Sequence, residues 1–299
     1  MRLIVSEGRA CIMFSATRKI TRSHMNQDTK MTKNIVLTGG ASGIGLELLK
    51  LLLDEDHRVA VIVRTDDQIS GLKNAFSSTK LDVFAADLSD QSAILQVAAR
   101  IRETLDSVDV LFNNAGVMLG KIAHSKQGNE MHFEVNTLAP YILTYSLHPA
   151  LAQATSPLVV NTATDGLEYA RSLNASEIVN PRKNQGALSL YLNSKLAGLL
   201  LMNHLSTKLK FRVIHASPSG NKTKLSQGDG MPFWMKPFVL LLYKDPRFGA
   251  NLLYQAAFQQ HLDKTQIYLQ NNSERTVRCP ISEEQIQELL SAIKVDLAS

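Results

Sequence analysis

From residue 33 onward, short β-branched and aliphatic runs alternate with longer stretches of helical periodicity, and this alternation limits the fold more than any other feature. Candidate strands fall at 34–38, 58–63, 81–85, 108–113, 158–161, 213–216 and 267–269. Helical stretches fall near 44–54, 89–104, 130–153, 187–208 and 246–260. Strands that are apolar throughout must be covered on both faces, which is the condition of a parallel sheet. With helices between them and right-handed crossovers, the expectation is an α/β fold: a doubly wound parallel sheet of Rossmann type. Ser282, followed by Glu283 and Glu284, starts a last helix over 282–295. No repeat, low-complexity block or linker divides residues 31–299, which are read as a single domain.

The chain has 299 residues, 44% hydrophobic and 20% charged, which excludes a wholly disordered or collagen-like protein. Its two cysteines, Cys11 and Cys279, cannot build a disulfide framework, so a reducing, cytoplasmic setting is expected. The net charge of +5 invites a nucleic-acid reading, but the excess is unevenly placed. Residues 1–30 hold Arg2, Arg9, Arg18, Lys19, Arg22 and Lys30 against Glu7 and Asp28, leaving the rest nearly neutral. Such a body offers no basic face for nucleic acid. The 1–30 segment reads as a disordered extension, with a mitochondrial targeting segment as the alternative; a secretory apolar core is missing from it.

Residues 135–164 contain no Asp, Glu, Lys or Arg, but they carry Asn136, His148 and three prolines. They read as a buried helix and strand rather than a membrane span. The run 231–243 (MPFWMKPFVLLLY) is too short to span and reads as a substrate lid, with a membrane-surface patch as the alternative. Met231, Phe233, Trp234 and Met235 could line an apolar pocket or simply pack under a loop. The eight histidines show no HxxxH or HExxH spacing, so no metal site is expected. His215, inside a strand, reads as a satisfied core or rim histidine.

Directly after the first strand comes Thr38-Gly39-Gly40-Ala41-Ser42-Gly43-Ile44-Gly45, opening into a Leu-rich helix. Glycines there let backbone N–H groups approach a pyrophosphate seated at the helix N-terminus. The second strand ends in Arg64, which suits an adenosine 2′-phosphate and argues for NADP(H) over NAD(H). Asp66 and Asp67 lie close by and could turn to the ribose instead. Asp87 and Leu88 follow the third strand, where Asp87 alone would also serve as a cap for a helix beginning at Ser89. The fourth strand runs into Asn113-Asn114-Ala115-Gly116, whose asparagines can bond neighbouring strands. Tyr191 and Lys195 stand at i and i+4 on one helix face. Free tyrosine ionises at about pH 10, and a nearby ammonium favours the tyrosinate.

The TGxxxGxG loop at 38–45, the NNAG at 113–116 and the YxxxK at 191–195 together resemble the short-chain dehydrogenase/reductase family over about residues 33–296. The local text of 134–144, 191–197 and 244–250 is similar to its retinol-dehydrogenase-like branch. That resemblance implies an NADP(H)-dependent oxidoreductase interconverting an alcohol and a carbonyl on a small lipophilic substrate. It implies cofactor contacts from Gly39, Ser42, Gly43, Ile44, Gly45, Arg64, Asp87, Leu88, Asn114, Ala115, Gly116, Tyr191, Lys195 and Thr223. It also implies Tyr191 as acid/base, Lys195 as its electrostatic and ribose-binding partner, and Asn136 as holder of a relay water through a local backbone distortion. The family's serine at the end of strand five is replaced by Thr164, with Thr162 the candidate if the register shifts by two. A second departure puts Ser219 where the family's Pro-Gly turn has glycine; Lys222 nearby reads as solvated. These departures keep open a non-catalytic NADP(H)-binding regulator, and C=C reduction is a third reading. The helices at 130–153 and 187–208 are apolar enough to meet a partner subunit in a homodimer.

Overall fold

Ile35, Val36 and Leu37 have no exposed surface, and neither do Val59, Ala60 and Val61, so the first two strands are buried on both faces as their uniform apolarity requires. The computed structural model describes residues 32–221, 229–230, 244–259 and 264–297. The chain divides into two units, Met1–Met31 and Thr32–Ser299, and only the second falls among the described residues. The expectations for the basic tail, for Lys222 and Thr223 and for the 231–243 run lie outside them.

The eight strands are β1 (Asn34–Thr38), β2 (Arg58–Val63), β3 (Leu81–Ala85), β4 (Val110–Asn113), β5 (Leu158–Thr162), β6 (Arg212–Ser217), β7 (Gln266–Gln270) and β8 (Ser273–Arg275). They lie in the order β3-β2-β1-β4-β5-β6-β7-β8. Every pair from β3 to β7 is parallel, with Ile35 opposite both Val59 and Val110. The order reverses between β1 and β4, and the crevice for a ligand in such sheets opens at the carboxyl ends of the strands flanking that point. β8 departs from the all-parallel expectation: it pairs antiparallel with β7 through Asn271 and Asn272, at φ 50° and 58°. Two left-handed central residues make the hairpin turn that follows strand twist. Its residues Ser273, Glu274 and Arg275 are polar and exposed, so no apolar run marked it.

The helices are α1 (Gly43–Asp54), α2 (Asp66–Ala75), α3 (Gln91–Thr104), α4 (Met131–Phe133), α5 (Ala139–Leu151), α6 (Ala175–Val179), α7 (Ala187–Leu209), α8 (Pro246–Phe258) and α9 (Glu283–Leu290), with a π-turn at Glu134–Leu138 joining α4 to α5. Helices α1 and α8 cover one face of the sheet, where Leu48, Leu49, Leu52 and Leu253 pack on Leu37 and Val61. Helices α3, α5 and α7 cover the other, with Ile94, Ile142 and Leu201 on Val36 and Val159. α2 has no counterpart in the apolar pattern because Leu72 is its one buried residue. A polar helix is instead started by a Thr65–Gln68 capping box, with Asp66 and Asp67 in its positive first turn. The apolar residues of α5 and α7 that seemed available to a partner subunit share one core with Ile286, Leu289 and Ala292 from the chain's own C-terminal segment. The described residues include no helix long and apolar enough to cross a membrane.

Candidate active site

At the switch point the β1–α1 turn is shaped by what glycine lacks. Gly39 and Gly43 sit at φ 74° and 56°, a region in which a Cβ is crowded. A Cβ on Gly45 would lie 2.2 Å from the Gly39 carbonyl oxygen and 2.6 Å from Asn114 Nδ2. Ser42 occupies the N-cap of α1 in extended conformation, yet its side chain makes no capping bond and no acid stands in the first turn. Among the described residues the first N–H groups of α1 thus meet no side-chain acceptor, which fits the phosphates of a dinucleotide. Ile44 is half-buried against the β1 side of the core.

The floor of the crevice is a polar ladder across four strands. Thr38 Oγ1 accepts from the backbone N–H groups of Asn114 and Ala115, each at 2.9 Å, and Asn114 Nδ2 donates to the Thr38 carbonyl at 3.0 Å. Asn113 Nδ2 donates to Asn161 Oδ1 at 2.9 Å. His215 Nε2 lies 3.0 Å from Asn203 Oδ1, so that nitrogen carries the proton, and Nδ1 is left to accept from Asn161 Nδ2 at 3.4 Å. Burial holds His215 down at about 3, so it stays neutral as a strut between β6 and α7.

Asn136 lies in the π-turn, within the distortion expected for it. Its own sequence supplies a cause: Pro140, four residues on, has no N–H to offer the Asn136 carbonyl. The Asn136 side chain is fixed at both ends, Oδ1 accepting from Val117 N at 2.8 Å and Nδ2 donating to Val117 O at 2.9 Å. Nδ2 also donates to Ser194 Oγ at 3.0 Å, and Ser194 Oγ donates to the Tyr191 carbonyl at 2.7 Å. Thr137 Oγ1 adds a bond to the Ser194 carbonyl at 2.7 Å. The π-turn thus grips α7 between Tyr191 and Lys195. The Lys195 ammonium is buried, donates to the Thr162 carbonyl at 2.8 Å, and is pushed down to about 8 by desolvation. A Cβ on Gly116 would come 3.1 Å from Asn136 Oδ1 and 3.4 Å from Lys195 Nζ, so this glycine keeps a narrow gap open beside both. Asn113, Ala115, Asn136, Thr162, Lys195 and His215 share the wall of one small cavity there.

Tyr191 is half-buried one turn before Lys195. Thr164 stands two residues beyond the end of β5; its carbonyl accepts from Tyr268 Oη at 2.8 Å, and no described hydrogen bond joins it to Lys195 or Asn136. Thr162 is spoken for: its hydroxyl points to Asn114 Oδ1 at 3.4 Å and its carbonyl to Lys195. Ser219 adopts φ 62°, the conformation that makes glycine usual there, and is held by a bond from its hydroxyl to Asn271 Oδ1. Arg64 is exposed just past β2, and its backbone N–H is satisfied by Gln68 Oε1 at 2.8 Å. Asp66 and Asp67 are committed to the first turn of α2. Asp87 does not cap a helix. It accepts from Ser89 N and Oγ in a local turn, Asp90 caps α3, and Leu88 packs against the core.

Three buried polar residues just before Asn136 were not singled out from the sequence. His132 Nε2 accepts from Leu119 N at 2.8 Å, so its Nδ1 carries the proton and donates to Glu130 Oε1 at 2.7 Å. The pair pins the loop that follows Gly116. Glu134, without exposed surface, accepts from Gln91, Ser125 and Asn129. The available signal was the alternation of Glu130, His132 and Glu134 at the start of an otherwise apolar helical stretch. Among the described residues no cluster could hold a metal ion.

The family model described as short chain dehydrogenase matches residues 33–229. The chain belongs to this family. As a short chain dehydrogenase it is an oxidoreductase acting on CH–OH groups, interconverting alcohols and carbonyls. Among its relatives is polyprenol dehydrogenase of Danio rerio, 28% identical over 248 residues, covering 77% of this chain and 75% of that protein. Another is retinol dehydrogenase 11 of Mus musculus, 25% identical over 238 residues with the same shares. These relatives meet the expected resemblance to the retinol-dehydrogenase-like branch. An alcohol dehydrogenase from the archaeon Thermococcus sibiricus, solved with 5-hydroxy-NADP, has the same fold at a TM-score of 0.61 and 18% identity, covering 84% of this chain and 100% of that one. The enzyme described as KRED1-Pglu does so at 0.63 and 20% identity, covering 80% of this short chain dehydrogenase and 100% of its own chain.

Proposed function

We propose that the protein is an NADP(H)-dependent dehydrogenase/reductase of lipophilic alcohols and their carbonyl partners, with Tyr191 as acid/base. The observation that carries this reading is the buried Lys195 ammonium on the same face of α7 as Tyr191, beside Asn136 and the gap at Gly116. Gly39, Ser42, Gly43, Ile44 and Gly45 would hold the pyrophosphate, Arg64 a 2′-phosphate, Asp87 and Leu88 the adenine side, and Asn114, Ala115 and Gly116 the nicotinamide side, with Thr223 as a further contact. When bound, the cofactor supplies or accepts the hydride.

In reduction, the Tyr191 hydroxyl donates its proton to the carbonyl oxygen; in oxidation, the phenolate takes the alcohol proton. Lys195 favours the phenolate by its charge and binds the ribose. Thr164 orients the substrate oxygen through its hydroxyl, and Asn136 holds the relay water. The preference for NADP(H) rests on Arg64, exposed just past β2 and in no ion pair among the described residues. The lipophilic substrate class is supported by relatives named for retinol and polyprenol.

The test is a panel of lipophilic aldehydes and ketones with NADPH and NADH, followed at 340 nm, with Tyr191→Phe alongside. Turnover with NADPH that falls about 10³-fold in Tyr191→Phe, at unchanged NADPH affinity, is the expected result. Retained activity in that variant would remove Tyr191 from the mechanism.

A further inference from the structure

The residue two before Asn136 is a buried carboxylate with an unusual set of partners. Glu134 Oε1 accepts from Gln91 Nε2 at 2.9 Å; Oε2 accepts from Asn129 Nδ2 at 2.8 Å and Ser125 Oγ at 2.7 Å. The same two amide nitrogens also donate to the Ala292 carbonyl, Gln91 at 3.1 Å and Asn129 at 2.9 Å. The result is a closed ring: carboxylate, Gln91 amide, Ala292 carbonyl, Asn129 amide, and back to the carboxylate. Gln91 Oε1 fixes the orientation of its amide by accepting from Lys294 N at 2.6 Å. Gln91 and Glu134 have no exposed surface.

The ring bears on the turn that carries Asn136. The backbone carbonyl of Glu134 accepts the i→i+5 bond from Ala139 N, so this residue is itself an acceptor of the π-turn. A side chain locked at Glu134 therefore fixes the widened turn from one end, while Val117 and Ser194 fix it at Asn136. The element closing the ring, Ala292, lies 163 residues from Asn129 in the chain.

We propose that Glu134 is a positioning residue: through Gln91, Asn129 and the C-terminal Ala292–Lys294 backbone it holds the π-turn, and with it Asn136, in the geometry that proton transfer requires. This rests on the function proposed for Asn136 above. The chemistry of the ring demands an acceptor at both oxygens. In Glu134→Gln the new NH₂ must face either Gln91 Nε2 or Asn129 Nδ2, and neither can turn away without abandoning Ala292 or Lys294.

The experiment compares Glu134→Gln with Leu253→Ala, a core truncation in α8 on the opposite face of the sheet. It reads kcat, KM for NADPH, thermal midpoint, and hydrogen exchange of residues 131–141 in the full chain. Glu134→Gln should lower kcat by about 10-fold or more with KM for NADPH within about twofold, and speed exchange over 131–141. Leu253→Ala should lose stability without the kcat loss. Unchanged kcat in Glu134→Gln or an equal kcat loss in Leu253→Ala would overturn the proposal. If the unsubstituted protein turns over nothing in the panel, the proposed function fails, and hydrogen exchange alone then decides the ring. Faster exchange over 131–141 in Glu134→Gln but not in Leu253→Ala supports it, and unchanged exchange overturns it.

Discussion

The two halves of the crevice are built on opposite principles. The β1–α1 half is specified by missing atoms: Gly39, Gly43 and Gly45 leave room for backbone N–H groups to face a ligand, and Asn114 closes in behind them. The half formed by the π-turn, β5 and α7 is specified by buried polar atoms: Asn136, Ser194, Lys195, Asn161 and His215, each held by a defined partner. Sterics suffices to shape a surface that binds phosphate, because its charge complementarity comes from the helix terminus. Proton transfer needs charged and hydrogen-bonding groups at fixed positions in a dry site, and those cost stability. The binding half should therefore respond to added volume, and the reacting half to altered charge.

The largest effect on cofactor binding is expected from adding one methyl to the binding half. Gly45→Ala places a Cβ against backbone at 2.2 Å, where nothing flexible can yield, and should weaken NADPH binding by about 10²-fold or more in a fluorescence titration. Binding unchanged by that methyl would break the comparison. On the other side, Lys195→Met should abolish turnover while stabilising the fold. The lysine's folded value of about 8 lies below its unfolded 10.5, so the folded state holds fewer protons between those values and stability rises with pH across that window. Below pH 8 the full penalty applies, about 3 kcal/mol. Denaturant unfolding at several pH values should show this rise in the unsubstituted protein and its loss in Lys195→Met.

A smaller effect separates two parts of the binding half itself. Arg64→Ala should weaken NADPH by about 10- to 100-fold and leave NADH nearly unchanged, as expected for a charge-assisted contact to one phosphate. Equal losses for both would take Arg64 out of the cofactor preference. The smallest concerns Ser219, a side chain where the backbone at φ 62° favours none. Ser219→Gly relieves that strain but gives up the bond to Asn271 and loosens the unfolded chain, so its gain in stability should not exceed about 1 kcal/mol.

Much of this was legible in the residues. The first two strands could be bounded from sequence because their apolar runs are unbroken and stop at Gly39 and Arg64. The glycine loop, the asparagine pair and the Tyr191–Lys195 spacing were visible because each is local, requiring nothing beyond its own strand or helix. α2 was not visible because it buries a single leucine, nor was β8, because its three residues are exposed. The capping role moved from Asp87 to Asp90 because two acids three residues apart are equivalent on paper until the start of α3 is known. Thr164 was the candidate in the sequence, with Thr162 the alternative at a register two residues off; that Lys195 and Asn114 engage Thr162 is visible only in the fold.

The sequence by itself determined the layered α/β architecture, the family, and the side chains that chemistry would draw on, since periodicity and short motifs are properties of neighbouring residues. Tertiary structure alone decided which polar groups meet. It brought Asn136 to Ser194, set the Lys195 ammonium on the Thr162 carbonyl, and closed Gln91, Asn129 and Glu134 around the Ala292 carbonyl. A buried polar atom must find a partner, but the partner is chosen by how helices and strands pack, across separations that no local pattern encodes.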